Sequence, residues 1–443
     1  MSSRTWLIPI AAAAIAGAAW WQFTPHASSR TGMPTAAPAQ AVDAARASAT
    51  DDDIRTRNIA FYERRIGEDP NGAADRSLLA ALYMQRARAT GDYTDYARAE
   101  RLARRSLALR VAHNSQTFSL LASALLARHA FAEALDVARR ADSLYPEVPA
   151  NLALLGEIEL ETGDYAAANA HFSAIHFDGE QFTIAARIAR WRELTGRADA
   201  ARRLLQGAAL RADRRDDLPR EQVAWFHYRL GELELRTGRL DAADSAFRRG
   251  LAIFPSDYRI LGGLARLAAA RRRWRESIDY GDKAIAVQLD PATLGTISDA
   301  YAALGDSAQA EQYARTMTIS ALRQPGPIHR AWGLFLLDRG DRRDVARVLV
   351  KTRVELRTRH DVYGEDLLAW ALYKQGRYAE AREASMRALA QGTEDAQLYY
   401  HAGMIDRAVG DTANARAHLD RALQLNPFFN SAHTVSPLRA SAS

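Results

Sequence analysis

The chain has no cysteine in its 443 residues. That excludes disulfides, a thiolate nucleophile, any Cys-based metal site and a lipid-modified N-terminal cysteine. Lysine is almost missing as well: Lys283, Lys351 and Lys374 are the three, leaving 56 Arg among the 59 basic residues. The 53 acidic residues are interspersed with them and the net charge is only +6, so no unbroken basic stripe is present and no nucleic-acid partner is expected. The Arg clusters 101/104/105, 211/214/215 and 271–273 read as solvated faces or turns. Absent too are GxGxxG, GxxxxGK(S/T), HExxH, GxSxG and an EF-hand loop. His171 and His176 lie about 140° apart around a helix, too far to share a metal. His401 and His418 fall in the two helices of one hairpin and read as a packing residue and a surface residue. Glu157, Glu159 and Glu161 read as a solvated helix face. No catalytic residue, cofactor or metal is expected.

Long uncharged apolar runs are rare. One occurs, Trp6–Phe23 (WLIPIAAAAIAGAAWWQF), preceded by Arg4. As a helix its length approaches the ~30 Å hydrocarbon core, with Trp20, Trp21 and Phe23 at the far interface. Residues 1–23 are therefore expected to be a retained signal anchor or a cleaved signal peptide. Pro25 at −3 of the nearest candidate cut, after Ala27, favours retention. The expected location is inner-membrane anchored with the rest on the extracytoplasmic, periplasmic side, or periplasmic and secreted if cleaved. Residues 24–50, rich in Ala, Pro, Ser and Thr, read as a disordered linker.

From residue 76 to 427 a skeleton repeats. A large apolar residue and a small one occur together as Leu121-Ala122, Leu155-Gly156, Ile188-Ala189, Leu230-Gly231, Leu264-Ala265, Ile297-Ser298, Trp332-Gly333, Leu368-Ala369 and Ala402-Gly403. Steps between them are 34, 33, 42, 34, 33, 35, 36 and 34 residues, and twelve positions after each small residue comes another, Ala134 to Ala415. Such a period fits two helices that approach closely through their small residues. Gly163, Gly196, Gly238, Gly305, Gly340, Gly376 and Gly410 fall at the turn between them, where a left-handed cap is needed. His129 and Arg272 stand there in two units and predict a distorted turn. Pro146, Pro255 and Pro427 close second helices. One hairpin cannot bury its apolar face alone, so neighbours must stack. The 42-residue step predicts an insertion at 211–221, tolerant of added residues and open to proteases.

Stretches such as LLGEIELETGDYAAANAHF, RLGELELRTGRLDAADSAFRRGLAIFP and LLAWALYKQGRYAEAREASMRAL resemble the tetratricopeptide repeat (TPR). The arrangement as a whole is similar to bacterial extracytoplasmic TPR proteins without assigned activity. The resemblance implies an all-α, right-handed superhelical solenoid of about ten hairpins. Residues 51–75 are expected to cap it as a helix, with Ile54, Asn58, Phe61 and Ile66 near helical spacing, and residues 428–443 to form a tail. The first unit carries extra residues and predicts a longer first helix.

The resemblance also implies that first helices line a concave groove through positions 2, 5, 9 and 12 of each unit. In unit five these include Trp225 and Tyr228, and in unit eight Arg330. Unit nine offers Tyr363, Asp366, Trp370 and Tyr373, and unit ten Tyr400 and Arg407. Aromatics with Arg are enriched at interaction hot spots, which makes the C-terminal groove the best-equipped surface. The same aromatics also suit packing against a neighbouring helix. The expected function is a non-enzymatic, membrane-tethered scaffold that binds a protein or peptide. Alternatives are an accessory subunit of a cell-envelope or export complex, and a carbohydrate-binding or enzymatic solenoid.

Overall fold

The computed structural model describes residues 39–146, 148–177, 181–323 and 328–429, which contain 21 helices and no strand. Helix α1 (Ala39–Glu68) is followed by ten hairpins. Units one to three pair α2 (Ala73–Thr90) with α3 (Tyr93–Leu109), α4 (Ser115–Ala127) with α5 (Phe131–Leu144), and α6 (Pro149–Thr162) with α7 (Tyr165–Ala174). Units four to six pair α8 (Phe182–Leu194) with α9 (Ala198–Ala212), α10 (Arg220–Arg236) with α11 (Leu240–Ile253), and α12 (Tyr258–Ala270) with α13 (Trp274–Val287). Units seven and eight pair α14 (Pro291–Ala303) with α15 (Ser307–Arg323) and α16 (Arg330–Arg339) with α17 (Arg342–Glu355). Units nine and ten pair α18 (Val362–Lys374) with α19 (Tyr378–Leu389) and α20 (Ala396–Ala408) with α21 (Thr412–Leu425). The run Trp6–Phe23 and the tail from residue 430 lie outside the described residues. Among the described residues no helix is long and apolar enough to cross a membrane.

The small residues work as their spacing requires. A Cβ on Gly156, Gly231 or Gly403 would come within 2.6, 2.5 and 2.7 Å of Phe172, Phe247 and Leu419, in each case the side chain sixteen positions on. Phe247, fully buried, also meets Gly263 of the next unit, where a Cβ would lie 2.6 Å from its ring. One ring therefore fills the space two glycines leave, and welds unit five to unit six. Burying it contributes about 1.5–3 kcal/mol. In units six and seven serine replaces a small apolar residue and bonds across the hairpin: Ser277 Oγ donates to the Ala265 carbonyl at 2.9 Å and Ser298 Oγ to that of Ala310 at 2.8 Å. Ala134, Ala168, Ala201, Ala243 and Ala381 are all fully buried at the second small position.

Four local expectations change. Helix α1 begins at Ala39, inside the segment read as linker and well before Asp51; its alanines are strong helix formers, and composition alone hid that. Its buried register is Ile59, Tyr62 and Ile66, whereas Ile54 and Phe61 are exposed. At the hairpin turns, Gly340 has φ −75° and Asp341 caps the next helix instead. His129 and Arg272 keep the regular left-handed turn at φ 60° and 57° rather than distorting it, at a strain of about 1–2 kcal/mol each. Of the insertion at 211–221, residues 213–219 form a turn-rich connection, with α9 running to Ala212 and α10 starting at Arg220. Within it, Asp213 holds His227 at 2.7 Å and Glu221, nearly buried, holds Arg88 at 3.3 Å. The long first helix of unit one is observed, 18 residues in α2 against 13 in α4.

The stacking closes on itself. His360 N donates to the Thr162 carbonyl at 2.8 Å, Val362 N to the Tyr165 hydroxyl at 3.0 Å, and Arg359 Nε to the Glu161 carbonyl at 2.9 Å. Further along, Thr393 Oγ1 donates to the Leu194 carbonyl at 2.5 Å, and Asn426 Nδ2 to the Leu235 and Arg236 carbonyls at 3.1 Å each. These partners are 190 to 199 residues apart, close to six repeats. Successive superhelical turns therefore touch through the ends of first helices. The points of contact include Gly163, Gly196 and Gly238, where a Cβ would lie 2.4, 2.5 and 3.1 Å from the neighbouring turn.

Candidate functional site

Touching turns convert the inner face of the solenoid into a lumen. Its main cavity is about 1090 Å³, walled by residues of nine first helices (all but α4) and, from the C-terminal end, by Phe428 and Phe429. Among the described residues only α15 of the second helices reaches it, through Met317. That volume lies just above the range of small-ligand pockets, about 300–1,000 Å³. Asn426 places the two phenylalanines by anchoring the segment after α21 to α10.

Unit five supplies the largest share of the wall. Trp225, Tyr228, Glu232 and Leu235 all reach the lumen. Arg330 and Leu334 do so from unit eight, but units nine and ten contribute Tyr363 and Gln397 and little more. Trp370 is 3% exposed. It stacks between His401 and Tyr373 at centroid distances of 4.1 and 4.7 Å, and its Nε1 donates to Asp338 at 2.9 Å. Asp366 is buried at 2% and holds both His401 Nδ1 at 2.7 Å and Arg330 at 3.0 Å. Burial pushes that carboxyl upward, yet His401 and Arg330 outweigh it and hold the group below its ordinary value. Tyr373 and Tyr400 are half-buried against the same core, and Arg407 is exposed beside Met404. The expected C-terminal groove is thus a packed interface between units nine and ten. The sequence pattern showed which helix faces inward, but not that unit ten would cover Trp370.

Pattern reading named Arg330 but missed the arginines around it. Arg187 and Arg190 of α8, Arg229 and Arg236 of α10 and Arg330 of α16 converge on the same wall. Three of them share one carboxylate, Glu193, which is 5% exposed: Arg190 at 3.5 Å, Arg229 at 3.4 Å, and Arg236 in direct contact. Arg187 pairs with Glu157 at 2.7 Å. Tyr363 is at the centre, with Arg330 4.7 Å and Arg190 5.6 Å from its ring centroid and Arg236 Nη1 donating to its hydroxyl at 3.4 Å. Burial, then repulsion from Arg190, hold the Arg229 guanidinium below its ordinary value. Elsewhere the wall is neutralised, as where Glu232 takes Arg266 at 2.6 Å. Arg187, Arg229 and Arg236 lie outside the four stations per unit that a hairpin pattern names, and superhelical closure alone juxtaposes α8 with α18.

Two stretches match models of the tetratricopeptide repeat, residues 224–267 and 396–429. The chain carries tetratricopeptide repeats. No curated protein matches it. Among solved structures it is similar to Pseudomonas aeruginosa pilF, at 16% identity over 51% of this chain and 97% of that one, TM-score 0.39. Yeast Tom70 is similar at 14% identity over 87% and 85% of the two chains, TM-score 0.39. The human IFIT1 dimer with PPP-AAAA is similar at 14% identity over 83% and 94%, TM-score 0.43.

Within this TPR lumen, Asp299 is a titratable group set against its environment. Burial pushes its carboxyl from 3.8 up to about 6, although Arg339 sits 2.5 Å away. The folded value lies above the unfolded one. The folded chain therefore binds the proton more tightly between about pH 4 and 6, and stability falls as pH rises through that window. Asp299→Asn is expected to gain at most about 3 kcal/mol over wild type above pH 6 and nothing below about pH 4. Urea unfolding across that range checks it, and a gain independent of pH would rule burial out as the cause. Two histidines of the last unit have carboxylates of their own: His401 holds Asp366, and His418 holds Asp406 at 2.7 Å. Among the described residues no group of three or more His, Asp or Glu side chains is placed to hold a metal ion.

Proposed function

We propose that this TPR protein is a non-enzymatic scaffold that holds an extended protein or peptide segment in its lumen, with the solenoid tethered through residues 6–23 on the extracytoplasmic side. One observation carries the reading: the first helices of nine units converge on a single cavity of about 1090 Å³ walled by Trp225, Tyr228, Phe335 and Phe429 together with charged groups. An extended chain fits such a wall because aromatics offer apolar area while Arg and Glu meet backbone and side-chain polar groups. The tether rests on the uncharged run after Arg4 and would raise the local concentration of a partner at the membrane.

A second reading is favoured by the outer second helices. There Ile319, Leu322, Val350, Val354 and Met386 are exposed at 52, 55, 63, 55 and 66%, as on a subunit whose partner covers its outside. Photo-crosslinking in intact cells separates the two. A crosslinker at Leu235, in the lumen wall, is expected to capture a discrete partner, and one at Met386 is not. Capture from Met386 alone would replace the lumen reading with the subunit reading. The tether predicts that the captured species sediments with membranes and resists carbonate extraction.

A further inference from the structure

Around Glu193 the arginines outnumber the carboxylate they touch. Arg190, Arg229 and Arg236 share that one carboxylate, so three cations meet one anion and the local sum is +2. The other acids nearby have partners of their own: Glu157 has Arg187, Asp366 has Arg330 and His401, and Glu161 has Arg359 at 3.2 Å, a cation that Glu355 and Asp361 also hold. Each guanidinium brings five donors in a fixed fork, and Glu193 with the Tyr363 hydroxyl cannot accept them all. The Nε of Arg330 also finds no acceptor. The side chains of Arg190, Arg229 and Arg236 keep 24, 20 and 24% of their surface exposed, and all three line the cavity. Donors that are charged, short of acceptors and open to a cavity make an anion site.

We propose that Arg190, Arg229 and Arg236, with Tyr363, form a subsite for a phosphate monoester carried on a protein segment in the lumen. The proposal rests on the lumen reading and names the chemistry of its ligand. Charge decides the class. A phosphate monoester brings about −1.5 to −2 at neutral pH and cancels the +2, whereas one carboxylate leaves a buried cation unmatched. A guanidinium fork also suits phosphate oxygens in pairs. A polyphosphate chain is disfavoured, because the same wall carries Glu157, Glu161, Glu221, Glu232, Asp299 and Asp338, which a nucleic-acid strand would have to pass.

The test uses the full chain with phenyl phosphate, benzoate and inorganic phosphate as probes in titration calorimetry. Phenyl phosphate is expected to bind at least tenfold tighter than benzoate. Arg190→Gln and Arg229→Gln should each weaken it roughly 10- to 100-fold, a charge-assisted hydrogen bond in each case. Arg229→Lys should recover only part of that, because the charge returns without the fork. Glu193→Gln should tighten binding several-fold, since it removes the competing carboxylate, an effect a merely structural residue would not give. Arg266→Gln, whose charge Glu232 already meets, should leave binding unchanged. Circular dichroism confirms that each variant is folded, and the Arg229→Lys and Arg266→Gln comparisons hold even if Glu193→Gln fails to fold. Benzoate binding as tightly as phenyl phosphate, or an Arg229→Gln variant that binds like wild type, overturns the subsite. A phosphoserine peptide should outbind both its unphosphorylated form and a 5′-phosphorylated oligonucleotide, and preference for the oligonucleotide overturns the protein source. The two readings fail separately. Crosslinks from Leu235 with no phosphate binding defeat the subsite alone; phosphate binding without such crosslinks defeats the protein ligand alone.

Discussion

Trp370→Ala is expected to destabilise units nine and ten by about 3–5 kcal/mol, as loss of a buried indole does. The ring is 3% exposed and stacks between His401 and Tyr373, Lys374 lies 4.7 Å from its centroid, and its N–H bonds to Asp338. Truncation leaves a cavity at the joint of two repeats, so the loss should concentrate there, because each repeat contacts mainly its neighbours. Hydrogen exchange is the appropriate measurement, since a long repeat array need not unfold in one step. Protection in α18 to α21 should fall by two to three orders of magnitude or more, while α4 to α7 change little. Unaltered protection together with lost partner capture would return Trp370 to the groove.

The second large effect concerns closure. Gly163 and Gly196 have φ of 87° and 70°, and a Cβ there would meet backbone atoms of His360 at 2.4 Å and Gly392 at 2.5 Å. Valine at either position adds left-handed strain of about 1–2 kcal/mol to an overpacking term of about 1–3 kcal/mol. Backbone cannot swing aside as a side-chain end can, so the strain is relieved by separating the turns. Gly163→Val with Gly196→Val is expected to keep its helix content, show a larger radius of gyration by small-angle scattering, and lose exchange protection at His360 and Val362. Gly376→Val with Gly410→Val is the matched control. Those glycines have φ of 76° and 85° with nothing within 4 Å of the added Cβ, so they should lower stability without changing size. An unchanged radius in the first pair would mean that these contacts do not set the superhelical pitch.

What could be read from the chain was whatever depends on neighbours within one hairpin. Gly231 and Ala243 are twelve positions apart, Gly231 and Phe247 sixteen, and such contacts recur with the period, so the number of units, their turns and their inward helices were all legible. The glycine turns were legible because φ near +70° is nearly cost-free to glycine alone. The exceptions are instructive: His129 and Arg272 accept the same turn under strain, since the packing of two helices on either side outweighs one residue's preference.

The lumen was decided elsewhere. Whether a groove stays open or closes depends on a small rotation per repeat summed over about six repeats, and no residue encodes that sum. It brings Arg359 to Glu161 and Thr393 to Leu194, 198 and 199 residues apart. It sets Tyr363 among arginines from units four, five and eight, and so creates a charge imbalance invisible in a nearly neutral composition. Burial of Trp370 likewise depended on His401 arriving from the next repeat. Periodicity therefore determined the repeat and its inner face, and the accumulated geometry of stacking decided which side chains that face presents, because packing within a hairpin is local and superhelical closure is not.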